Sequence, residues 1–313
     1  MAESQPGEMP PGEIRLGANQ YGKAEVRLVR VTRDTAVHEI EDLNVTSQLR
    51  GDFTTAYTEG DNASVVATDT QKNTVYGFAK EHGVGSPEAF LTTLGRHFVD
   101  EFAWVSGGRW AAEQYAWERI AVDGQPHDHA FVRSGREVRT AVVQIHGDTT
   151  HVLAGLQDCT VLKSTGSEFH GFPRDRFTTL VETDDRILAT SITAWWRYRP
   201  GATDGGGTDW NDLYAGIRDT ILATFARVHS LALQQTMFEA GRAVLEAFPA
   251  VAEMKMSCPN KHHFLVDLEP FGLENPGEVF YAADRPYGLI EATIEREGEP
   301  AAPEAWATVP GFC

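Results

Sequence analysis

Cysteine is scarce in this chain. There are three in 313 residues: Cys159, Cys258 and Cys313. The number is odd and no spacing matches a metal site. That excludes a disulfide scaffold and a cysteine-built zinc centre, and it points to a reduced, cytoplasmic protein. Long apolar runs are missing as well. None approaches the ~18 residues that a membrane span needs. Basic charge is short: 27 Lys and Arg stand against 45 Asp and Glu, for a net charge of −18. A phosphate backbone needs a basic patch, so nucleic acid is excluded as a partner. An anionic substrate would meet a repelling field, and a local Arg or Lys would have to reverse it. There is no phosphate-cradling Gly-x-Gly-x-x-Gly or Gly-Lys-Ser/Thr, and no Gly-x-Ser-x-Gly elbow. Residues 1–12 have no apolar centre of the signal-peptide kind and are expected to be a disordered tail.

The length suggests about two domains of ~150 residues each. Alternation predicts strands at Lys23 to Val31 and from Leu43 to Arg50, paired as a half-buried hairpin. Gly51 to Ala63 is polar and is expected to be loop. Val65-Val66-Ala67 reads as a short apolar strand. Thr68 and Asp69 follow at its turn into a helix from Thr70 to His82. Ser86-Pro87-Glu88 signals a second helix, with Phe90, Leu91, Leu94, Phe98 and Phe102 on one face. Arg109 to Val122 and His127 to Ser134 form a hairpin around Asp123-Gly124. A further hairpin, Glu137 to His146 with Thr150 to Lys163, turns at Gly147-Asp148. A strand from Arg186 to Arg199 follows, then a glycine-rich loop, Gly201 to Gly207. A helix capped by Thr208 buries Leu213, Ile217, Ile221 and Phe225. The next is capped by Ser230 and stopped by Pro249. Strands close the chain at Met254 to Leu268 and Gly288 to Glu295. The pattern repeats at half length, so two domains are expected, at 13–135 and 136–313. Each is an α+β unit of antiparallel strands with paired helices on one face. Open sheet edges are best removed by closing sheets into a barrel across subunits, so a homo-oligomer is expected.

Several polar residues stand where structure does not require them, and each has a plain reading beside the functional one. Thr68 and Asp69 either cap a helix or hold a ligand at its N-terminus. Asn260 and His262, two apart on a strand, share a face; His262 is either a satisfied core-edge histidine or a site residue. Arg186 follows Glu182, Asp184 and Asp185, and a surface ion pair is its plain reading. Gln234 opens a helix, where an amide is often only solvated. Phe169 in a loop is either a core plug or a stacking platform. His127 and His129 would share a strand face, but no third ligand stands at a suitable spacing. No metal is expected.

Taken together, several segments resemble urate oxidase (uricase). They are Asn19 to Lys23, Val66 to Thr74, Asp123 to Phe131, Leu162 to Thr165, Phe177 to Leu180, Asp185 to Leu188, Gln234 to Met237 and Pro259 to His262. They stand in the family's order and spacing. The resemblance implies the tunnelling fold (T-fold) in two tandem copies. It also implies a homotetramer with active sites between subunits, and no metal or organic cofactor. It implies that Phe169 stacks on a purine and that Arg186 and Gln234 grip its edge. Leu180, Leu233 and Ile290 match pocket-lining positions. Backbone N–H groups of Thr68, Asp69 and Leu233 would complete the edge contacts. Lys23, Thr68 and His262 match a proton-relay triad, and Thr68 and Asn260 a pair that holds water or dioxygen. The implied reaction converts urate, dioxygen and water into 5-hydroxyisourate and hydrogen peroxide. Ala232, Leu233, Phe238 and His263 depart from residues common in the family. Two alternatives stay open on the residues alone. One is a pterin or purine enzyme of the same fold; the other is a silent purine-binding protein.

Overall fold

A computed structural model describes residues 14–203, 209–283, 285–307 and 309. The expected tail at 1–12, Thr208, the glycines at 205–207 and Cys313 lie outside them. Strands β1 (Tyr21–Thr32) and β2 (Glu39–Gly51) form the first hairpin. Leu43, Val45, Ser47 and Leu49 turn to one face and are buried, as the period of two requires. The register slips between Lys23 and Val26, where Glu25 takes a φ of 55°. This is a β-bulge on an edge strand, the kind of irregularity that re-aims a side chain.

The expected loop after β2 contains a helical turn, α1 (Thr54–Thr58). The expected strand at Val65–Ala67 does not form. No neighbouring strand lies alongside to give it a ladder. Instead Val66 is buried and its carbonyl oxygen accepts from Tyr21 Oη at 3.1 Å. Helix α2 (Thr68–Glu81) then begins two residues earlier than the periodicity indicates. Helix α3 (Pro87–Glu101) follows the signals closely. Ser86 Oγ accepts from Ala89 N–H at 3.3 Å, Pro87 opens the first turn, and Phe90, Leu91, Leu94 and Phe98 are buried. At Gly95 the helix sits so close to the sheet that a Cβ would lie 2.8 Å from the Trp110 ring.

Strands β3 (Val105–Val122) and β4 (Gln125–His146) are long. The arms His127–Ser134 and Glu137–His146, expected as separate strands, are one strand. Gly135 takes a φ of 52° without breaking it, so the seam expected at 135/136 falls inside β4. The chain turns at Gly147-Asp148 into β5 (Thr149–Lys163), which pairs with both β4 and β6 (Leu188–Tyr198). Strand β5 carries a bulge of the same kind as β1, between Leu156 and Cys159, with Asp158 at a φ of 56°.

Helix α4 (Trp210–Arg227) is capped by Asp209, whose carboxylate accepts from Asp212 N–H at 2.7 Å. Helix α5 (Leu233–Ala247) is not capped by Ser230 as expected. Ala232 is its N-cap, and Ser230 Oγ instead bonds Thr236 Oγ1 at 2.7 Å and Ala232 O at 3.1 Å. The strand expected at Met254–Leu268 is split. Strand β7 (Val251–Asn260) stays in the main sheet, while β8 (His263–Leu265) pairs with β9 (Phe280–Ala282) in a separate ribbon. Strand β10 (Gly288–Glu295) closes the sheet beside β7, and a short helix α6 (Pro303–Trp306) follows.

The main sheet is antiparallel throughout, in the order β1-β2-β3-β4-β5-β6-β7-β10. Two ββααββ units therefore lie side by side, β1 to β4 and β5 to β10. Each buries an apolar cluster between its strands and its two long helices. A buried ion pair lies at their junction: Glu88 on α3 meets Arg139 on β4 at 2.7 Å within the first unit, and Arg139 reaches the second unit by donating to Asn211 Oδ1 on α4 at 2.7 Å. The face without the paired helices is partly covered by Ala302 and Ala305, packed on Val142, Leu153 and Trp195.

Candidate active site

Helices α3 and α4 are capped by side chains, Ser86 and Asp209. Helices α2 and α5 begin at Ala67 and Ala232 with no side-chain cap. An uncapped first turn leaves N–H groups directed at one point, a ready anion site. The sequence places Thr68-Asp69 at the first of these termini and Leu233-Gln234 at the second. The capping reading of Thr68 and Asp69 thus fails. Asp69 instead pairs with Lys72 and accepts from Asn73 at 3.0 Å along its own helix. Its carboxyl is held below the usual carboxylate range, chiefly by Lys72, with a further contribution from Lys23. Lys23 is thereby placed near the α2 terminus, and its ammonium has no hydrogen bond or ion pair among the described residues.

A buried polar bracket holds these groups. Gln71 is fully buried; its Oε1 accepts from Ser47 Oγ at 3.0 Å and its Nε2 donates to Val66 O at 3.4 Å. Ser47 is the cross-strand partner of Lys23. Sequence reading did not single out Gln71, Ser47 or Tyr21. A signal existed: Gln71 stands on the buried stripe of α2 with Val75 and Ala79, where an apolar residue belongs.

The second group forms around the segment 164–187, between β5 and β6. Phe169 pairs with Thr183 through backbone bonds of 2.9 and 3.2 Å and stacks on Phe172 at 5.1 Å. The Arg186 guanidinium lies 5.2 Å from the centre of the Phe169 ring, and its Nε donates to Ser167 Oγ at 3.3 Å. No carboxylate pairs with Arg186 among the described residues. Glu182 and Asp184 lie against His170, and Asp185 accepts from Thr165 and Gly166. The surface ion-pair reading therefore fails too. Burial lowers the Arg186 pKa, but arginine stays charged. Buried Ser167 and Ser230 tie this segment to the start of α5: Glu168 N–H donates to Ser230 O at 2.8 Å and Ser230 N–H to Gly166 O at 2.9 Å. Sequence reading missed Ser167, and it read Ser230 as a cap. Gln234 is exposed in the first turn of α5.

His262 lies between β7 and β8, not on one strand with Asn260 as expected, so the shared-face argument does not hold. It still belongs to this group. Burial first, then Arg186, then His263 lower its pKa, which favours the neutral imidazole. Asn260 ends β7 opposite Thr190 and Gly288, and Ile290 is partly buried on β10 opposite Cys258. The Leu233 side chain is only 2% exposed and packs in the core, so only its backbone N–H is free to face a ligand. Leu180 is 54% exposed.

The candidate residues therefore fall into two groups. Lys23, Thr68 and Asp69 sit at the β1 edge. Phe169, Arg186, Gln234, Asn260, His262 and Ile290 sit toward the β10 edge. From β1 to β7 is on the order of 30 Å along the sheet, at about 4.8 Å per strand. Among the described residues, no hydrogen bond, ion pair or ring contact joins the two groups. A cavity of about 1030 Å³ near Tyr115, Glu137 and Arg218 contains none of these residues.

Tandem ββααββ units on one antiparallel sheet, with ligand-type residues at its two edges, define a T-fold protein. The chain matches the uricase family over residues 19–144 and 152–291. It is 62% identical over 301 residues to the uricase of Arthrobacter globiformis, covering 96% of each chain. It is 39% identical to the uricase of Cyberlindnera jadinii, covering 90% of this chain and 97% of that one. The crystal structure of the Arthrobacter globiformis uricase superposes with a TM-score of 0.88 over 95% of this chain and all of that one. The chain belongs to the uricase family.

Proposed function

We propose that the protein oxidises urate with dioxygen and water to 5-hydroxyisourate and hydrogen peroxide, without metal or organic cofactor. The observation that carries this reading is the Arg186–Phe169 pair. A half-buried guanidinium without a carboxylate lies against an aromatic face, beside a helix terminus with free N–H groups. A flat anion fits that arrangement. It would stack on Phe169, take charged hydrogen bonds from Arg186, and meet Gln234 and the N–H of Leu233 on its edge. The N–H groups of Thr68 and Asp69 would bind the opposite edge.

The proton chemistry falls to Lys23, Thr68 and His262. Urate is an anion near neutral pH, and removal of a second proton makes it an electron donor to dioxygen. Thr68 Oγ would pass that proton between Lys23 and the neutral His262 imidazole. Peroxide then leaves, and water held by Thr68 and Asn260 adds to the ring. Because Lys23 and His262 lie in different half-sites, we propose that each active site joins two subunits. The oligomer is a homotetramer, with sheets closed edge to edge into a barrel and the two ββααββ units as its domains. A cytoplasmic location suits the unpaired thiols of Cys159 and Cys258; no helix among the described residues is long and apolar enough to cross a membrane.

The test is turnover. Metal-stripped protein mixed with urate in air should consume the urate absorbance and release one peroxide per urate. No turnover, or turnover restored only by an added metal, overturns the reading.

A further inference from the structure

The helix-free face of the sheet carries a group of cations that the proposed reaction does not use. Arg50 on β2, Gly107 on β3 and His146 on β4 lie in one cross-strand row, and Gln48, Arg109 and Gln144 lie in another. At Gly107 strands β3 and β4 lie so close that a Cβ would collide with Ile145 O, and Arg50 reaches across this glycine to β4. Its Nη1 donates to His146 Nε2, its Nη2 to Gln144 Oε1 and its Nε to Gln20 Oε1, each at 3.0 Å. All three acceptors are neutral, since a histidine that accepts from arginine carries no proton on that nitrogen. Arg109 stands beside this group. Its Nε is buried without an acceptor, and among the described residues no hydrogen bond or ion pair reaches its guanidinium. Glu304 on α6, a carboxylate nearby, lies 3.0 Å from His151 Nε2 and is paired with neither arginine.

Two partly desolvated guanidiniums side by side, with no carboxylate paired to either among the described residues, are costly. Burial and the Arg50 charge both pull the Arg109 pKa below the ordinary arginine range. In a chain of net charge −18, this cluster is a local reversal of sign held in place by Gln20, Gln144 and His146. Arg50 keeps a free N–H on each terminal nitrogen, and Arg109 keeps its whole fork. Spare donors on two neighbouring guanidiniums suit an acceptor with oxygens on several sides.

We propose that Arg50 and Arg109 bind a small tetrahedral oxyanion, of the sulfate or phosphate class, on the helix-free face of the sheet. The site is separate from the urate half-sites and stabilises the first ββααββ unit when filled. The test uses the assembled protein at fixed ionic strength, with chloride replaced stepwise by sulfate or by inorganic phosphate. Binding only to the folded state should raise the melting temperature saturably, by about 3–5 °C. Arg109→Gln should lose the saturable part and keep only the shallow, unsaturating rise that excluded salts give any protein. Its turnover of urate should match the wild type. Calorimetric titration of the wild type with phosphate should show one site per chain. Equal rises in wild type and variant, or no heat of binding, overturn the proposal. So does a shift of Arg109→Gln toward dissociation without any anion effect, because a carboxylate of a second copy would then be the partner. If Arg109→Gln does not fold, the wild-type titration alone decides.

Discussion

The two ββααββ units share an order and a bulge but differ in what surrounds them. Lys23 precedes the bulge in β1, and Leu156 precedes the matching bulge in β5. Strand β1 is a sheet edge and Lys23 is only partly buried, so a cation is tolerated there. Strand β5 lies between β4 and β6, so Leu156 is fully buried. The connections differ as well. The turn between β1 and β2 is short, whereas the matching connection in the second unit, 164–187, carries Phe169 and Arg186. Capping follows the same division, with α2 uncapped in one unit and α5 in the other. One shared order of elements thus carries two unlike groups of residues. The proposed reaction would draw its proton relay from the first unit at one edge and its ligand grip from the second at the other.

That division is open to test. The largest effect is expected from Lys23→Met, which should lower turnover by about a thousandfold while keeping the binding of a non-oxidisable purine analogue, because general acid–base groups contribute on this scale. Loss of analogue binding instead would make Lys23 structural. Mixing Lys23→Met subunits with inactive Arg186→Gln subunits sharpens the point. Random reassembly should restore roughly a quarter of the wild-type sites, since one subunit supplies the intact relay and its neighbour the intact grip. No recovery after verified subunit exchange would place both halves in one chain.

The ion pair that anchors Arg139 at the junction of the units is next. Glu88→Ala should destabilise the protein by about 3–5 kcal/mol, because it leaves Arg139 buried and unpaired. Denaturant unfolding measures this, and a change under about 1 kcal/mol would show the pair to be dispensable.

A smaller effect concerns pH. The His262 pKa is lowered in the fold. Neutral His262 should therefore persist below the ordinary histidine value of about 6.5, with the acid limb of the turnover profile below that pH. The same shift makes His262 cost stability as pH falls below about 6.5, because the unfolded chain then binds the proton more readily. A limb above that value, or one unchanged in His262→Gln, would remove the histidine from the relay. Least of all should change at the thiols. Burial pushes Cys159 and Cys258 up to about 12. Neither should react with an alkylating reagent at pH 8 until the chain unfolds; mass spectrometry of labelled native protein checks this.

Much was legible in the sequence where physics is local. Alternation located β1 and β2, Ser86-Pro87 started α3, and the three-and-four spacing of Leu213, Ile217, Ile221 and Phe225 gave α4 its buried face. The misses have non-local causes. Val65–Ala67 has the composition of a strand but no neighbour to pair with. Ser230 has the chemistry of a cap, but a segment sixty residues away claims it. Strand β4 continues through Gly135 because β3 runs on beside it. Gln71 was missed because an amide on a buried stripe gains its meaning only from Ser47 and Val66.

The site divides in the same way. Sequence alone determined which side chains are present, and the order of Lys23, Thr68, Phe169, Arg186, Gln234 and His262 was enough for the family resemblance. It also put Thr-Asp and Leu-Gln at helix starts. Only the tertiary structure decided that those two helices lack side-chain caps, that no carboxylate among the described residues pairs with Arg186, and that Arg186 lies against Phe169 and near His262. It alone separated Lys23 from His262 by most of a sheet. Periodicity reports which face of an element is buried, while strand order, which long-range pairing decides, sets how far apart two faces stand.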